Sequence, residues 1–136
     1  MNKIKISEKL STATYLLSTF YGEDPFDPEN VIAIGSGVAI NNKGYLLTTA
    51  HTITNRLPIR FTDVQDPHAK TVAKTKYGNF SQYTTIHCGI QLTNPLLKKP
   101  IQVDLAILKP LKVGNNVPFL NVCFDPIKLG LDVMMA

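Results

Sequence analysis

The sequence carries a formal charge of +4 but nowhere gathers it into a block of like charges. Lys70, Lys74, Lys76, Lys98 and Lys99 stand alone or in pairs, as solvated faces and protected strand edges do. No basic stripe is interleaved with aromatics, which argues against a nucleic-acid partner. No apolar run is long enough to span a bilayer, and none follows Lys3 and Lys5 as a signal peptide requires. A membrane partner is therefore not expected, and the compartment stays open. Cysteine is scarce: Cys88 and Cys123 lie far apart, with no Cys-x-x-Cys spacing to suggest a metal. One disulfide is open to them, but two buried thiols are the expectation. No internal repeat and no low-complexity tract interrupts the chain, and nothing in it asks for a cofactor.

What is present belongs to a globular domain. The 136 residues are 44% hydrophobic and 18% charged, enough apolar material for one folded core. Nine prolines and eight glycines are spread along the chain, which suits short strands joined by many turns.

Taken in order, residues 3–11 suit the start of a short helix capped by Ser7. Thr12 to Tyr21 is rich in β-branched and aromatic residues and reads as a strand, although Leu16-Leu17 also suit a continuing helix. Gly22 to Asn30 is a loop marked by Asp24-Pro25 and Asp27-Pro28. Val31 to Ile40 is the next strand, with Gly35 and Gly37 pointing to a bulge or a close backbone approach. A turn at Asn41-Asn42-Lys43-Gly44 leads into a third strand ending at Thr49, and Ala50 to Thr54 makes one helical turn. Further strands are expected at Ile59–Val64, Val72–Tyr77, Thr84–Leu92 and Asp104–Leu108, the last ended by Pro110. Val113 to Asn121 is loop. Short strands at steady spacing indicate an all-β sandwich or barrel.

The stretch around the second turn carries more than fold. Gly35-Ser36-Gly37-Val38-Ala39-Ile40, the turn, then Leu46-Leu47-Thr48-Thr49-Ala50-His51 resembles the trypsin-like (chymotrypsin-fold) serine peptidases, closest to their bacterial and high-temperature-requirement-type branches. Thr49-Ala50-His51 is one residue shorter than the family signature that ends in the general base. Asp104-Leu105-Ala106-Ile107-Leu108 is similar to the second signature, which supplies the acid. The two come in family order. The third signature, Gly-Asp/Asn-Ser-Gly-Gly around the nucleophile, is absent from these 136 residues.

The resemblance implies a six-stranded antiparallel Greek-key β-barrel, the first of two in the family. Residues 1–11 are then an N-terminal segment, 12–128 the barrel, and 129–136 the start of a link to a second barrel. His51 is the expected general base and Asp104 the carboxylate that orients it; imidazole suits that role because it exchanges protons near neutrality. An aspartate heading an apolar run needs a partner, and an imidazole N–H is a natural one. His68, after Asp66-Pro67, is expected to be exposed, and His87 to be structural, with Cys88 on the opposite strand face. Ser36 lies in a structural segment of the family and is not the expected nucleophile.

The function implied is one half of a serine endopeptidase, supplying base and acid but lacking the nucleophile, and so inactive alone. The alternative is a non-catalytic binding or interaction module on the same fold. Partners expected are a protein or peptide substrate, a C-terminal barrel, and a second copy docked through the apolar 129–136 junction.

Overall fold

The computed structural model describes residues 3–55, 65–76, 78–96 and 98–123, without the side chains of residues 90–92 and 94. The expected strand at Ile59–Val64 and the 129–136 junction lie outside the described residues.

No proline or glycine occurs before Gly22, so nothing breaks an early helix, and α1 (Lys3–Ala13) begins well before the expected cap at Ser7. It ends where threonines turn their hydroxyls back: Thr12 donates to the carbonyls of Glu8 and Lys9, and Thr14 to that of Leu10. The backbone then extends directly into β1 (Thr14–Phe20), which settles the helix-or-strand ambiguity at Leu16-Leu17 in favour of the strand.

β2 (Val31–Ala39) returns antiparallel along β1, with a register shift between Thr19 and Phe20. The turn into β3 (Leu46–Thr48) is built on Asn41, whose side-chain oxygen accepts from the amides of Lys43 and Tyr45, while Gly44 takes a left-handed φ of 91°. After β3 comes the single helical turn α2 (His51–Thr54).

β4 (Lys70–Lys74), β5 (Phe80–Asn94) and β6 (Lys99–Pro110) complete the sheet. All three begin earlier than their sequence patterns suggest, and β4 also ends earlier. The β4–β5 turn is closed by the Thr75 amide donating to the Asn79 carbonyl and the Gly78 amide donating to the Thr75 carbonyl. β5 and β6 overrun the barrel as a paired two-stranded ribbon, from Ile90 opposite Val103 out to Asn94 opposite Lys99.

The strands close into an antiparallel barrel in the order β1-β2-β3-β6-β5-β4, the Greek-key arrangement expected. Alternation does the sorting: Tyr15 and Leu17 on β1, Leu46 on β3, Ala73 on β4, Tyr83 on β5, and Ala106 and Leu108 on β6 all face inward. Ala39, Ala50 and Ile53 complete this core, and Val117, Phe119 and Cys88 pack against it. The segment after β6 is loop, as expected, tied down by amides of Gly114, Val117 and Leu120 donating to Lys43, Asn42 and Ala39.

The two cysteines are free, Cys88 half-buried and Cys123 exposed, which corrects the expectation of two buried thiols. Cys123 lies in loop beyond β6.

Candidate active site

The site begins where β3 stops. Four residues of helix cannot hold themselves together in water, because nucleation costs more than one turn of hydrogen bonds returns. α2 therefore depends on what it touches. Thr52 and Ile53 are buried beneath it, and its C-terminus is closed by Asn55 in the left-handed conformation, whose amide donates to the His51 carbonyl at 2.8 Å.

Gly35 on β2 lets α2 lie this close. A Cβ at Gly35 would fall 2.4 Å from Thr52 Oγ1 and 2.8 Å from its Cγ2. Gly37 stands likewise against Leu17. The two glycines mark close approach, one of the two expectations for them; the register shift of this strand pair lies elsewhere.

The N-terminus of α2 has no cap from its own sequence; Ala50 occupies that position. The cap comes from β6. Asp104 Oδ1 accepts from the His51 amide at 2.9 Å, and the Ala50 amide also donates to this carboxylate. Its other oxygen, Oδ2, lies 2.5 Å from His51 Nδ1. One carboxylate thus caps the helical turn and holds the ring that the turn carries.

Burial pushes the Asp104 carboxyl upward, but the bonds from the His51 ring and amide, the field of the imidazole and the Ala50 amide together hold it below the usual aspartate range. Asp104 is thus ionised at neutral pH, and Nδ1 of a neutral His51 carries the proton and donates it. That leaves Nε2 with a free lone pair. The His51 side chain is 42% exposed, so this edge is reachable from solvent, and among the described residues Nε2 makes no hydrogen bond.

The structure brings His51 and Asp104 together across 53 positions of sequence. The other candidates stay apart from them. His68 is exposed in the loop before β4, its amide donating to Asp66 Oδ1. His87 is exposed on β5, and its neighbour Cys88 turns to the core. Ser36 is exposed on β2, and its carbonyl accepts from the Thr48 hydroxyl at 2.7 Å. No group of three or more His, Cys, Asp or Glu among the described residues is placed to hold a metal ion. No helix among them is long and apolar enough to cross a membrane.

A cavity of about 500 Å³ lies along β4 and β5, lined by Gln65, Lys70, Tyr83 and Cys88 among others, and includes neither His51 nor Asp104. Sequence reasoning missed one group of residues that bears on the site: buried Thr19, Thr52 and Thr71. No local signal marks Thr19 or Thr71 as inward-facing, because threonine suits either face of a strand.

No protein-family model matches this chain, and no curated protein matches it. Among solved structures, it is similar to the serine endoprotease from Yersinia pestis, with a TM-score of 0.52 and 16% identity. That likeness covers 93% of this chain but 35% of the neighbour, so the chain spans about a third of the length of the protein it matches. At this identity the likeness is one of fold, and it supports a trypsin-like barrel.

Proposed function

We propose that this chain is the first barrel of a trypsin-like serine endopeptidase, with His51 as general base, Asp104 as the acid that orients it, and the nucleophilic serine on a further C-terminal barrel. One observation carries the reading: the carboxylate of Asp104 grips both the ring and the amide of His51, at 2.5 and 2.9 Å. That grip fixes the tautomer as well as the position of the ring.

In the proposed reaction Nε2 of His51 takes the proton of a serine hydroxyl as its oxygen bonds to the peptide carbonyl carbon. The imidazolium so formed is stabilised by Asp104. It then gives its proton to the leaving amine as the C–N bond breaks, and a water repeats the sequence to release the acid. His51 and Asp104 supply the proton handling; the covalent step needs the missing hydroxyl. The partial exposure of the His51 side chain fits a base that meets its nucleophile from outside this barrel.

The test is a longer reading frame. About another hundred residues would make a second domain of ordinary size, and a Gly-x-Ser-Gly within them would supply the nucleophile. Such a protein is expected to hydrolyse a casein-type substrate and to lose roughly 100- to 10,000-fold in rate on His51→Ala. Undiminished hydrolysis in that variant would overturn the assignment. A frame without the serine, giving a protein that binds peptides without cutting them, would favour a binding module.

A further inference from the structure

α2 is pinned at both ends by side chains from other strands. Asp104 holds the first turn. The other end raises a different problem, because the last carbonyls of a helix have no partner within it. Thr52 is buried, so its carbonyl needs a partner. Thr19, wholly buried on β1, meets it at 2.8 Å.

The direction of every bond behind Thr19 then follows. A carbonyl only accepts, so the one hydroxyl proton of Thr19 goes to Thr52. Thr19 must therefore accept at its contact with Thr71, its cross-strand partner on β4, 3.1 Å away. Thr71, having given its proton to Thr19, accepts from Gln65 Nε2 at 3.0 Å. The second Nε2 proton goes to the Ala69 carbonyl at 3.3 Å, and Gln65 Oε1 accepts from Thr85 on β5 at 2.8 Å. The result is a one-way donor chain, Thr85 to Gln65 to Thr71 to Thr19, ending on the helical turn that carries His51. Bonds ordered head to tail polarise one another, so the last one is strengthened by those behind it.

We propose that Thr19 is a positioning residue for His51, and that Thr71, Gln65 and Thr85 act through it as a relay that holds α2 against Asp104. His51 and Asp104 stand on different elements, so the geometry between them is kept only while α2 stays where β1 holds it. The inference rests on the reading of His51 and Asp104 as base and acid.

The test follows the low-field Nδ1 proton of His51 by NMR in the 136-residue chain, measuring its exchange with water. Asp104→Asn is expected to abolish the signal; a signal unchanged in that variant overturns the pair itself, and the proposed function with it. With the pair established, Thr19→Val is expected to speed exchange about three- to tenfold, the scale of one lost hydrogen bond. Thr19→Ser keeps the hydroxyl and is expected to restore the parent rate. Thr71→Val leaves the last bond in place and is expected to give an increase of about twofold. Ser18→Ala is the control, because wholly buried Ser18 donates instead to the Pro25 carbonyl and its loss touches nothing in the relay.

Exchange that ranks Thr19→Val above Thr71→Val above Ser18→Ala, whatever the melting temperatures, supports positioning. Exchange that tracks melting temperature alone, with Ser18→Ala as fast as Thr19→Val, overturns it. Should Thr19→Val fail to fold, Thr71→Val against Ser18→Ala decides by the same ranking.

Discussion

Two parts of the barrel interior solve the same packing problem with different chemistry. Where Tyr15, Leu17, Leu46 and Leu108 meet, the interior is apolar, and closeness of fit does the holding. Where Thr19 and Thr71 meet beneath the Thr52 carbonyl of α2, two buried hydroxyls stand in hydrogen-bond order. The two kinds of filling differ in what they specify. An apolar contact tolerates small slips at modest cost, whereas a hydrogen bond weakens steeply with misalignment. The apolar part makes the barrel stable. The hydroxyl part fixes the place of a four-residue helix that has no stability of its own.

The largest expected effect breaks the apolar part. Leu17→Ala removes a wholly buried side chain facing Ala73 and Gly35 and should cost about 2–5 kcal/mol, read as a lower denaturant midpoint with unchanged slope. The Nδ1 proton of His51 should keep its shift wherever the variant stays folded, because the hydrogen bonds from Thr19 and Asp104 that hold α2 do not run through Leu17. A changed shift would mean that the two parts are not separable.

Gly35→Ala attacks the boundary between them. The new methyl falls on the buried side chain of Thr52, which must shift to admit it. A loss of about 1–3 kcal/mol is expected from overpacking, smaller than that of Leu17→Ala. Unlike Leu17→Ala it should displace the low-field proton, since α2 has to move. Equal stability loss with an undisturbed proton would place the strain in β2 instead.

The same contrast explains what was legible in the sequence. The Asn-Lys-Gly turn, the strand running into Thr49-Ala50-His51 and the apolar run behind Asp104 are local patterns, and each folds as its spelling suggests. The spacing of the strands left sandwich or barrel open, and closure into six antiparallel strands was implied by the family likeness. The overrun of β5 and β6 was not legible, because the pairing of residues such as Gln91 with Gln102 depends on a partner strand and not on an apolar alternation. Thr19 and Thr71 were opaque for a related reason. Threonine suits either face of a strand, and only closure of the barrel decides that these two point inward and find each other. Cys123 was misjudged because cysteine is so often buried, yet its place in the chain falls in loop past β6.

The smallest expected effect separates the two parts by pH. Asp104 is held below the ordinary aspartate range in the folded protein, burial opposing this and the bonds from His51 and Ala50 prevailing. Asp66 is lowered as well, first by the hydroxyl of Tyr21 and then by the His68 amide. A carboxyl with a folded value below its unfolded one adds stability above the unfolded value, and that stability is lost as pH falls toward and through the folded value. The melting temperature of the parent chain should therefore drop between about pH 5 and pH 2. Leu17→Ala should lower the whole curve in parallel, because nothing in the apolar part titrates in that window. Asp104→Asn should lower it at neutral pH and flatten it in acid, while the share that Asp66 supplies remains. A variant that keeps the full acid slope would show that the carboxylate is not what ties β6 to the helical turn, and that α2 is held from the threonine side alone.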